Sequence, residues 1–481
     1  MDLELETVDA LVLLVYLAGA VALGGWIGRR TDAEEYLAGG RDLPWWVVLG
    51  SIVATETSTA TFLSVPGLAY AAGGDLRFLQ LAVGFLLGRL LVSLWLLPKF
   101  FDGKLTSAYQ VIERRFGAST QRWAAFTFLV TRNLGDGLRL FLAALVLAPL
   151  VGIDLWQAAV IVGAVTVGYT WMGGLRSVVV NDCIQLVIYM VGGLAVGAVV
   201  LSRLPGGWEQ FQSFAEAQGK LRLFGDPWNP SDTYALTTGV VGGLVLTLGT
   251  HGTDQLMVQR YLAAKSLGHA RAALTASGLV VLFQFTLFLL LGAGLAAFYA
   301  EFPREAAFER NDAVLGTFVI EQLPGGYGLI GLILAGVFAA AMSTLSSSLN
   351  SSATVVVSDL LPDADESRTV ARTRRWTLFF GLLQTAFAIA AVELSQSVVS
   401  DALALAGFSA GLLLGLFALG SFLPQVSGRH AQLGLIGGLL ALLGVHFGTD
   451  LAWPWYATVG SATVFAVGAL STRLLPRTQG S

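Results

Sequence analysis

Cysteine is almost missing from this chain of 481 residues, since Cys183 is the single example. One thiol excludes an intrachain disulfide framework and any metal or redox site built from several cysteines. Charge is scarce too: Asp, Glu, Lys and Arg form 12% of the residues, against roughly 25% in soluble domains. The formal net charge of −4 provides neither a basic surface nor an acidic tail, so we expect no nucleic-acid partner. These shortages exclude an ordinary soluble domain.

Hydrophobic residues are abundant instead and form 55% of the chain. A helix needs roughly 20 consecutive apolar residues to cross a bilayer, and the sequence holds about thirteen such runs. We therefore predict an all-α membrane protein with about 13 transmembrane helices, with the bilayer as its main solvent. The approximate limits of the runs are 8–28, 45–72, 77–98, 121–150, 155–172, 178–202, 234–259, 272–299, 325–358, 376–394, 397–423, 431–448 and 455–473.

Basic residues predict the orientation, because cytoplasmic loops collect Lys and Arg. An N-terminus outside the cell places most of them in the cytoplasm, and an odd number of helices then leaves the C-terminus inside. The first run follows Asp2, Glu4 and Glu6 rather than basic residues, so we interpret it as a retained helix and not a signal peptide. We predict a multi-pass protein of the cytoplasmic (inner) cell membrane. The basic positions used are Arg29, Arg30 and Arg41, the clusters Lys99–Arg122, Arg260–Arg271 and Arg368–Arg375, and Arg473 and Arg477.

Two of the apolar runs contain polar stretches, Ala54–Thr59 (followed by Pro66 and Gly67) and Gly249–Gln255. Transporters built from inverted repeats place their binding site where helices in corresponding positions are interrupted. The two stretches are five runs apart, which predicts two five-helix repeats that each begin with a broken helix. We predict one transporter domain over residues 1–481, with repeats at about 45–202 and 234–423 and extra helices at 8–28 and 431–473.

Hydroxyl side chains are concentrated in the ninth run. Helical spacing places Ala340, Ser343, Thr344, Ser347 and Ser351 on one face. Hydroxyl and carbonyl oxygens suit a hard cation such as sodium. Small residues also let membrane helices pack closely, so packing alone is the alternative interpretation.

Three stretches of the sequence form a pattern: Ala340–Ser351 with its Leu-Asn-Ser ending, Gly173–Val179 followed by Asp182 and Gln185, and Asp254-Gln255 with Val258–Lys265. In order and spacing they resemble the sodium–solute symporter family. The resemblance covers nearly the whole chain and implies sodium-coupled transport by a leucine-transporter-like inverted-repeat fold.

The resemblance also implies where sodium binds. The family's core site uses backbone carbonyls and two hydroxyls, which fall here on Ala54, Thr57, Ala340, Ser343 and Thr344. A second sodium is implied by the matches at Asp182, Ser346 and Ser347. A buried carboxylate in a membrane either serves an ion or is paired, so an ion-pair or helix-terminus role for Asp182 stays open. We expect one or two sodium ions and no organic cofactor.

Charged residues within the runs are candidates for substrate contact. Glu56 lies in the first polar stretch and could hold a cationic group, an ion or a proton, or could pair with an arginine. Arg132, Asp136 and Arg139 share one face of the fourth run. The arginines could grip a carboxylate in bidentate fashion, or the charges could neutralise one another. His251 either contributes to the pocket or is a buried, hydrogen-bonded histidine.

Comparison with branches of the family narrows the substrate. Galactose-type sugars are disfavoured, because Glu56 stands where that branch has asparagine, and run 77–98 offers Gln80 but no acid. The sialic-acid branch matches better, at Ser58, Thr61 and Phe78, although its carboxylate-binding arginine falls at Gly135.

The predicted function is sodium-coupled import of a small carboxylate-bearing or zwitterionic solute, such as a sialic acid, amino acid or organic acid. Sugar or vitamin symport is the alternative, followed by a channel or a transporter-like sensor. Four scattered histidines and the lack of HExxH or GxSxG contexts argue against an enzyme. We expect the partners to be sodium, the solute and the lipid bilayer, and the functional unit to be a monomer.

Overall fold

The computed structural model describes residues 6–29, 32–103, 105–306, 308, 310–362, 366–391 and 398–474. These residues form helices and connecting turns, with a single β-bridge between Leu43 and Ala264. Arg30 and Arg477, which entered the orientation prediction, lie outside the described residues. The α-helices are α1 (Thr7–Gly28), α2 (Ala33–Ala38), α3 (Trp45–Glu56), α4 (Thr59–Tyr70), α5 (Leu79–Trp95), α6 (Leu97–Phe100), α7 (Tyr109–Phe116), α8 (Ala118–Val151), α9 (Leu155–Arg203), α10 (Gly207–Ala217), α11 (Gly243–Gly252), α12 (Gln255–Leu262), α13 (Leu267–Glu301), α14 (Ala313–Gln322), α15 (Leu329–Val355), α16 (Thr369–Ala390), α17 (Val398–Phe422), α18 (Gly428–Gly448) and α19 (Tyr456–Leu474).

Six of the described helices are long and apolar enough to cross a membrane, and the bent pair α3 and α4 makes a seventh span if counted as one. The remaining predicted runs fall on helices that are shorter, more polar or interrupted. The all-helical membrane architecture predicted from the hydrophobic runs is therefore confirmed.

The first polar stretch is a break between two helices. α3 ends at Glu56, Thr57 and Ser58 have extended backbone angles, and α4 begins at Thr59. The two axes differ in direction by 60°. Pro66 does not interrupt the helix, since it lies inside α4. The interruption comes from the Thr57-Ser58 pair, where the regular backbone hydrogen bonds of α3 stop.

The second polar stretch also separates two helices. α11 ends at Gly252, Thr253 leaves the helical conformation, and Asp254 is the N-cap of α12. The Asp254 carboxylate accepts a hydrogen bond of 2.8 Å from the Leu256 backbone N–H. An acidic N-cap satisfies the free amide groups at the start of a helix, which explains why α12 restarts here.

The glycine pair in the GGLRSVV stretch shapes the long helix α9. Gly174 has a positive φ of 59°, and a Cβ there would lie 2.6 Å from the backbone oxygen of Tyr36. Only glycine allows this close approach with such a backbone. The kink at Gly174 lets α2 pack against α9, where Arg176 pairs with Glu35 at 3.0 Å.

The serine-rich helix α15 is the central element of the fold. Every residue from Ile333 to Val355 is buried, and the helix packs against α9, α8 and α1. At its start, Asp9 of α1 accepts backbone hydrogen bonds from Gly326 (2.8 Å) and Gly331 (3.0 Å). These hydrogen bonds tie the start of α15 to α1.

Candidate sodium and substrate site

The serine-rich helix contacts the first break through a threonine. The Thr344 hydroxyl donates a 2.9 Å hydrogen bond to the carbonyl of Thr55, one of the last residues of α3. The last four carbonyls of a helix lack helical partners, so a break of this kind exposes carbonyl oxygens beside α15. The structure therefore brings together the two elements that the sequence predicts for sodium binding.

The five residues of the predicted core sodium site are buried here. Thr57 donates its hydroxyl to the Val53 carbonyl (2.8 Å) and accepts from Tyr189 (2.9 Å), so what it offers a cation is its backbone carbonyl. The hydroxyl protons of Ser343 and Thr344 point to other acceptors, which leaves their oxygen lone pairs available. A set of carbonyl and hydroxyl oxygens fits a hard monovalent cation. The residues of the predicted core site are Ala54, Thr57, Ala340, Ser343 and Thr344.

Asp182 of α9 is fully buried and paired. Its carboxylate accepts hydrogen bonds of 2.5 Å from both Ser51 and Ser343, and it forms an ion pair with the equally buried Arg260 at 3.3 Å. Arg260 also donates to Ser347. The ion pair left open in the sequence therefore exists, and its partner is Arg260, which was expected in the basic cluster and in the stretch Val258–Lys265 but not as a partner of Asp182.

The two other residues of the predicted second sodium site do not contact Asp182 directly. Ser346 donates to the carbonyl of Ser343 (3.1 Å), and Ser347 is engaged with Arg260 and with Thr55 (3.1 Å). A sodium ion shared by Asp182, Ser346 and Ser347 requires the Arg260 guanidinium to move.

A cavity of about 230 Å³ lies against both breaks. Thr55 and Thr344, which join the break to α15, are part of its wall. Six of the nine residues that the sequence assigned to the substrate are polar or charged lining residues, and Phe78 is a seventh. The predicted substrate residues that line the cavity are Glu56, Ser58, Thr61, Phe78, Arg132, Arg139 and His251.

The other two predicted substrate residues lie elsewhere. Gln80 donates to the carbonyls of Arg77 (3.1 Å) and Tyr234 (2.9 Å), which ties α5 to the segment before α11. Asp136 is fully buried behind two arginines. Direct substrate contact is therefore not supported by the position of either residue.

Glu56 pairs with an arginine that the sequence analysis did not single out. Its carboxylate accepts a hydrogen bond from Arg89 of α5, whose side chain is 0% exposed, and lies 3.6 Å from Nε2 of His251. His251 also lies 3.3 Å from Arg89 and 3.1 Å from the Thr250 hydroxyl. Glu56 itself is 20% exposed and faces the cavity. The sequence does contain a signal for this pair. Arg89 is a cation inside an apolar run, and such a residue requires an acidic partner such as Glu56.

The second charged group lies on α8 and does not include Glu56. Asp136 accepts hydrogen bonds from both Arg132, at 2.8 Å, and Arg139. Arg132 also reaches Asp254, with 3.7 Å between its guanidinium and the carboxylate. The charges of the four residues cancel, as do those of Glu56 and Arg89.

An all-helical membrane architecture with two interrupted helices, an oxygen-lined break and an adjoining cavity defines a secondary transporter rather than an enzyme. The chain belongs to the sodium:solute symporter family, whose model matches residues 36–438. The resemblance seen in the three sequence stretches is thereby confirmed.

Individual relatives span most of the chain. The sodium/sialic acid symporter of Proteus mirabilis is 29% identical, with 96% of this chain and 94% of the relative covered. The human sodium/iodide cotransporter is 30% identical over 98% of this chain and 76% of its own length. The bovine sodium-coupled monocarboxylate transporter 2 is 30% identical, covering 89% and 70%.

A solved structure of a Na+-coupled sialic acid symporter in a substrate-bound, outward-open state is similar to this protein throughout. Its TM-score is 0.89 at 27% identity, with 98% of this chain and 99% of that chain covered. A nucleobase–cation symporter in a closed conformation shares the fold with a TM-score of 0.61 at 12% identity.

Proposed function

We propose that this protein is a sodium-coupled symporter of a small carboxylate-bearing or zwitterionic solute. One observation carries the proposal: Thr55 and Thr344 belong both to the contact between the broken helix and α15 and to the cavity wall. An ion held by the oxygens around this contact stiffens the wall to which the solute binds. Sodium and solute then stabilise the same conformation, which is the thermodynamic basis of coupling.

The charges on the cavity wall support the solute class. Among the lining residues, Arg139 offers donors to a carboxylate and Glu56 offers acceptor oxygens. Ser58 and Thr61 add hydroxyls, and Phe78 adds apolar surface. The named substrates of the relatives, sialic acid and monocarboxylates, bear the carboxylate that such a wall would bind, and iodide is also an anion. The carboxylate-binding arginine expected from the sialic-acid branch falls at Gly135 here. Arg132 and Arg139 are therefore the lining arginines that would bind the carboxylate of the solute.

Transport follows from rocking of the elements around a fixed site. Sodium stabilises the state in which α4 leaves the cavity accessible, the solute binds, and the cavity then opens on the side of α12. Each positive charge that crosses an inward-negative potential contributes about 2.3 kcal/mol per 100 mV. Accumulation therefore rises steeply with voltage if two ions move.

The topology and assembly are part of the proposal. Thirteen spans result when α9 counts twice at its Gly174 kink and each broken pair counts once, with the N-terminus outside and the C-terminus in the cytoplasm. Repeats at about 45–202 and 234–423 form one domain with the extra helices α1, α18 and α19. The protein works as a monomer in the inner membrane.

For the ions, we propose one sodium at the core site. A second would use Asp182 with Ser346 and Ser347 once Arg260 has moved. Two ions predict a sodium Hill coefficient above one that falls toward one in Asp182→Asn.

Thermal unfolding of the purified protein tests both coupling and solute class. The panel is N-acetylneuraminate, L-proline, L-lactate, D-galactose and biotin, each in sodium chloride and in choline chloride. We expect stabilisation by a carboxylate or zwitterion only in sodium, followed by concentrative uptake into proteoliposomes. Stabilisation by D-galactose alone would refute the solute class, and uptake that never exceeds the external concentration would indicate a channel.

A pair of matched variants tests the core site. Thr344→Val removes the hydroxyl that contacts Thr55 and should abolish stabilisation by sodium. Thr354→Val makes the same change ten residues further along α15, at a hydroxyl without a hydrogen-bond partner among the described residues, and should preserve it. Equal sodium dependence in both variants would overturn the assignment of Thr344.

A further inference from the structure

Four charged side chains of alternating sign form a continuous series of ion pairs from the cavity wall to the N-terminus of α12. Arg139, 19% exposed, contacts Asp136, which is 0% exposed. Asp136 also holds Arg132, and Arg132 extends to Asp254 at 3.7 Å. The first three residues lie on α8, whereas Asp254 caps α12. The series therefore connects two separate elements of the transporter.

α12 lies against the cavity on the side where the cavity is proposed to open. All eight residues of α12 are buried, and only its first turn, at Leu256 and Met257, reaches the cavity. The Gln255 side chain accepts from the backbone N–H of Ala108 (2.7 Å) and donates to the carbonyl of Thr106 (3.0 Å). The segment before α7 thus packs against α12. We call this largely buried region, α12 with the segment 105–108, the cavity floor.

We propose that Asp136 is a positioning residue that couples occupancy of Arg139 to closure of the cavity floor. The inference rests on the proposed function, because it takes the occupant of Arg139 to be the carboxylate of the solute. Asp136 is shared by two arginines, and a carboxylate that binds Arg139 competes for that guanidinium. Asp136 then attracts Arg132 more strongly, and Arg132 withdraws from Asp254. Anion binding thereby weakens the link between α8 and α12, and the floor opens.

This mechanism makes opposite predictions for two neighbouring residues. Arg139→Gln removes the competitor for Asp136, imitates the bound anion and opens the floor. Asp136→Asn frees Arg132 to bind Asp254 and closes the floor further. A purely structural role gives the same sign for both, because loss of either partner from a buried ion pair loosens the surrounding helices.

The accessibility of one engineered cysteine measures how open the cavity floor is, in the absence of any solute. Cys183, the single native cysteine, is replaced by serine, and Met257→Cys places a thiol on the cavity-lining turn of α12. Membrane-impermeant maleimide is applied in sodium to right-side-out and inside-out membrane vesicles. The proposed topology puts the floor on the cytoplasmic side, so reaction in inside-out vesicles reports an open floor, and reaction in right-side-out vesicles measures access to the same thiol from the opposite side.

We expect labelling through the floor to be about fivefold faster in Arg139→Gln and about fivefold slower in Asp136→Asn, as for a partly exposed ion pair contributing about 1 kcal/mol. Asp136→Glu, which keeps the charge, should return the rate toward that of the parent. Arg304→Gln breaks an unconnected pair with Glu321 and should leave the rate unchanged.

The Arg132→Gln background provides the decisive control, and it also covers the case in which Asp136→Asn does not fold. Without Arg132 the series of ion pairs from Arg139 to Asp254 is interrupted, so adding Arg139→Gln should no longer change the labelling rate. A persistent effect of Arg139→Gln in that background, or rates that rise in both Arg139→Gln and Asp136→Asn, would overturn the coupling. Because no solute is used, these outcomes are distinct from a failure of the proposed substrate class.

Discussion

The unequal burial of Glu56 and Arg89 predicts which of the two residues causes the larger loss of stability when it is replaced. Arg89 is 0% exposed, whereas Glu56 is 20% exposed to the cavity. Glu56→Gln strands a guanidinium in the protein interior, and Arg89→Met strands a carboxylate that still has His251 as a partner and is partly exposed to the cavity. Although the same ion pair is lost, the two variants should therefore differ in stability.

The magnitudes follow from burial. Removing one partner of a buried pair costs about 3–5 kcal/mol, which applies to Glu56→Gln. For Arg89→Met we expect about 1–3 kcal/mol, the cost of a polar group left partly unsatisfied. Nε and Nη1 of Arg89 have no hydrogen-bond partner among the described residues, so their removal adds little. The double variant should be more stable than Glu56→Gln alone, because no charge is left stranded.

Thermal unfolding followed by tryptophan fluorescence measures this order, and the chain has twelve tryptophans for the signal. The expected order of Tm is parent, then Arg89→Met, then Glu56→Gln, with the double variant above Glu56→Gln. A lower Tm for Arg89→Met than for Glu56→Gln would refute the argument from burial. Strictly additive losses in the double variant would show that the two side chains do not interact.

Three further predictions concern charged side chains that hold elements together. Lys220 donates to three carbonyls at the end of α4, at 2.6–3.1 Å, so Lys220→Met should cost about 1–3 kcal/mol and expose segment 203–233 to limited proteolysis. Asp9→Asn can accept only one of the two hydrogen bonds at the start of α15 and should lower stability by about 1–2 kcal/mol, with an unchanged Tm counting against that role. Asp182→Asn strands the buried Arg260 and should lower Tm, and adding Arg260→Met should recover part of the loss.

The architecture was predictable because hydrophobic length is a direct requirement of the bilayer. The two breaks were predictable as well, since Thr57, Ser58 and Asp254 favour extended or capping conformations inside otherwise apolar runs. Pro66 was the misleading part of that signal: it lies within α4, and its missing amide does not end the helix.

The pairing of charges was not predictable in the same way. Helical spacing correctly grouped Arg132, Asp136 and Arg139, because that rule acts within one helix. The partners Arg89 of Glu56 and Arg260 of Asp182 lie 33 and 78 residues away in sequence, on other helices. Contacts of this kind depend on how helices cross, and periodicity within a single sequence contains no information about that.

The burial of α15 has a consequence for assembly in the membrane. Its serines and threonines are sheltered by α3, α8 and α9, which all precede it in the chain. During synthesis these helices have already been made when α15 emerges, so its hydroxyls can meet protein partners soon after entering the bilayer. A chain permuted to begin with α15 would expose the same hydroxyls to lipid while the other helices are still being made. Chain order thus protects the hydroxyl-rich face of this central helix.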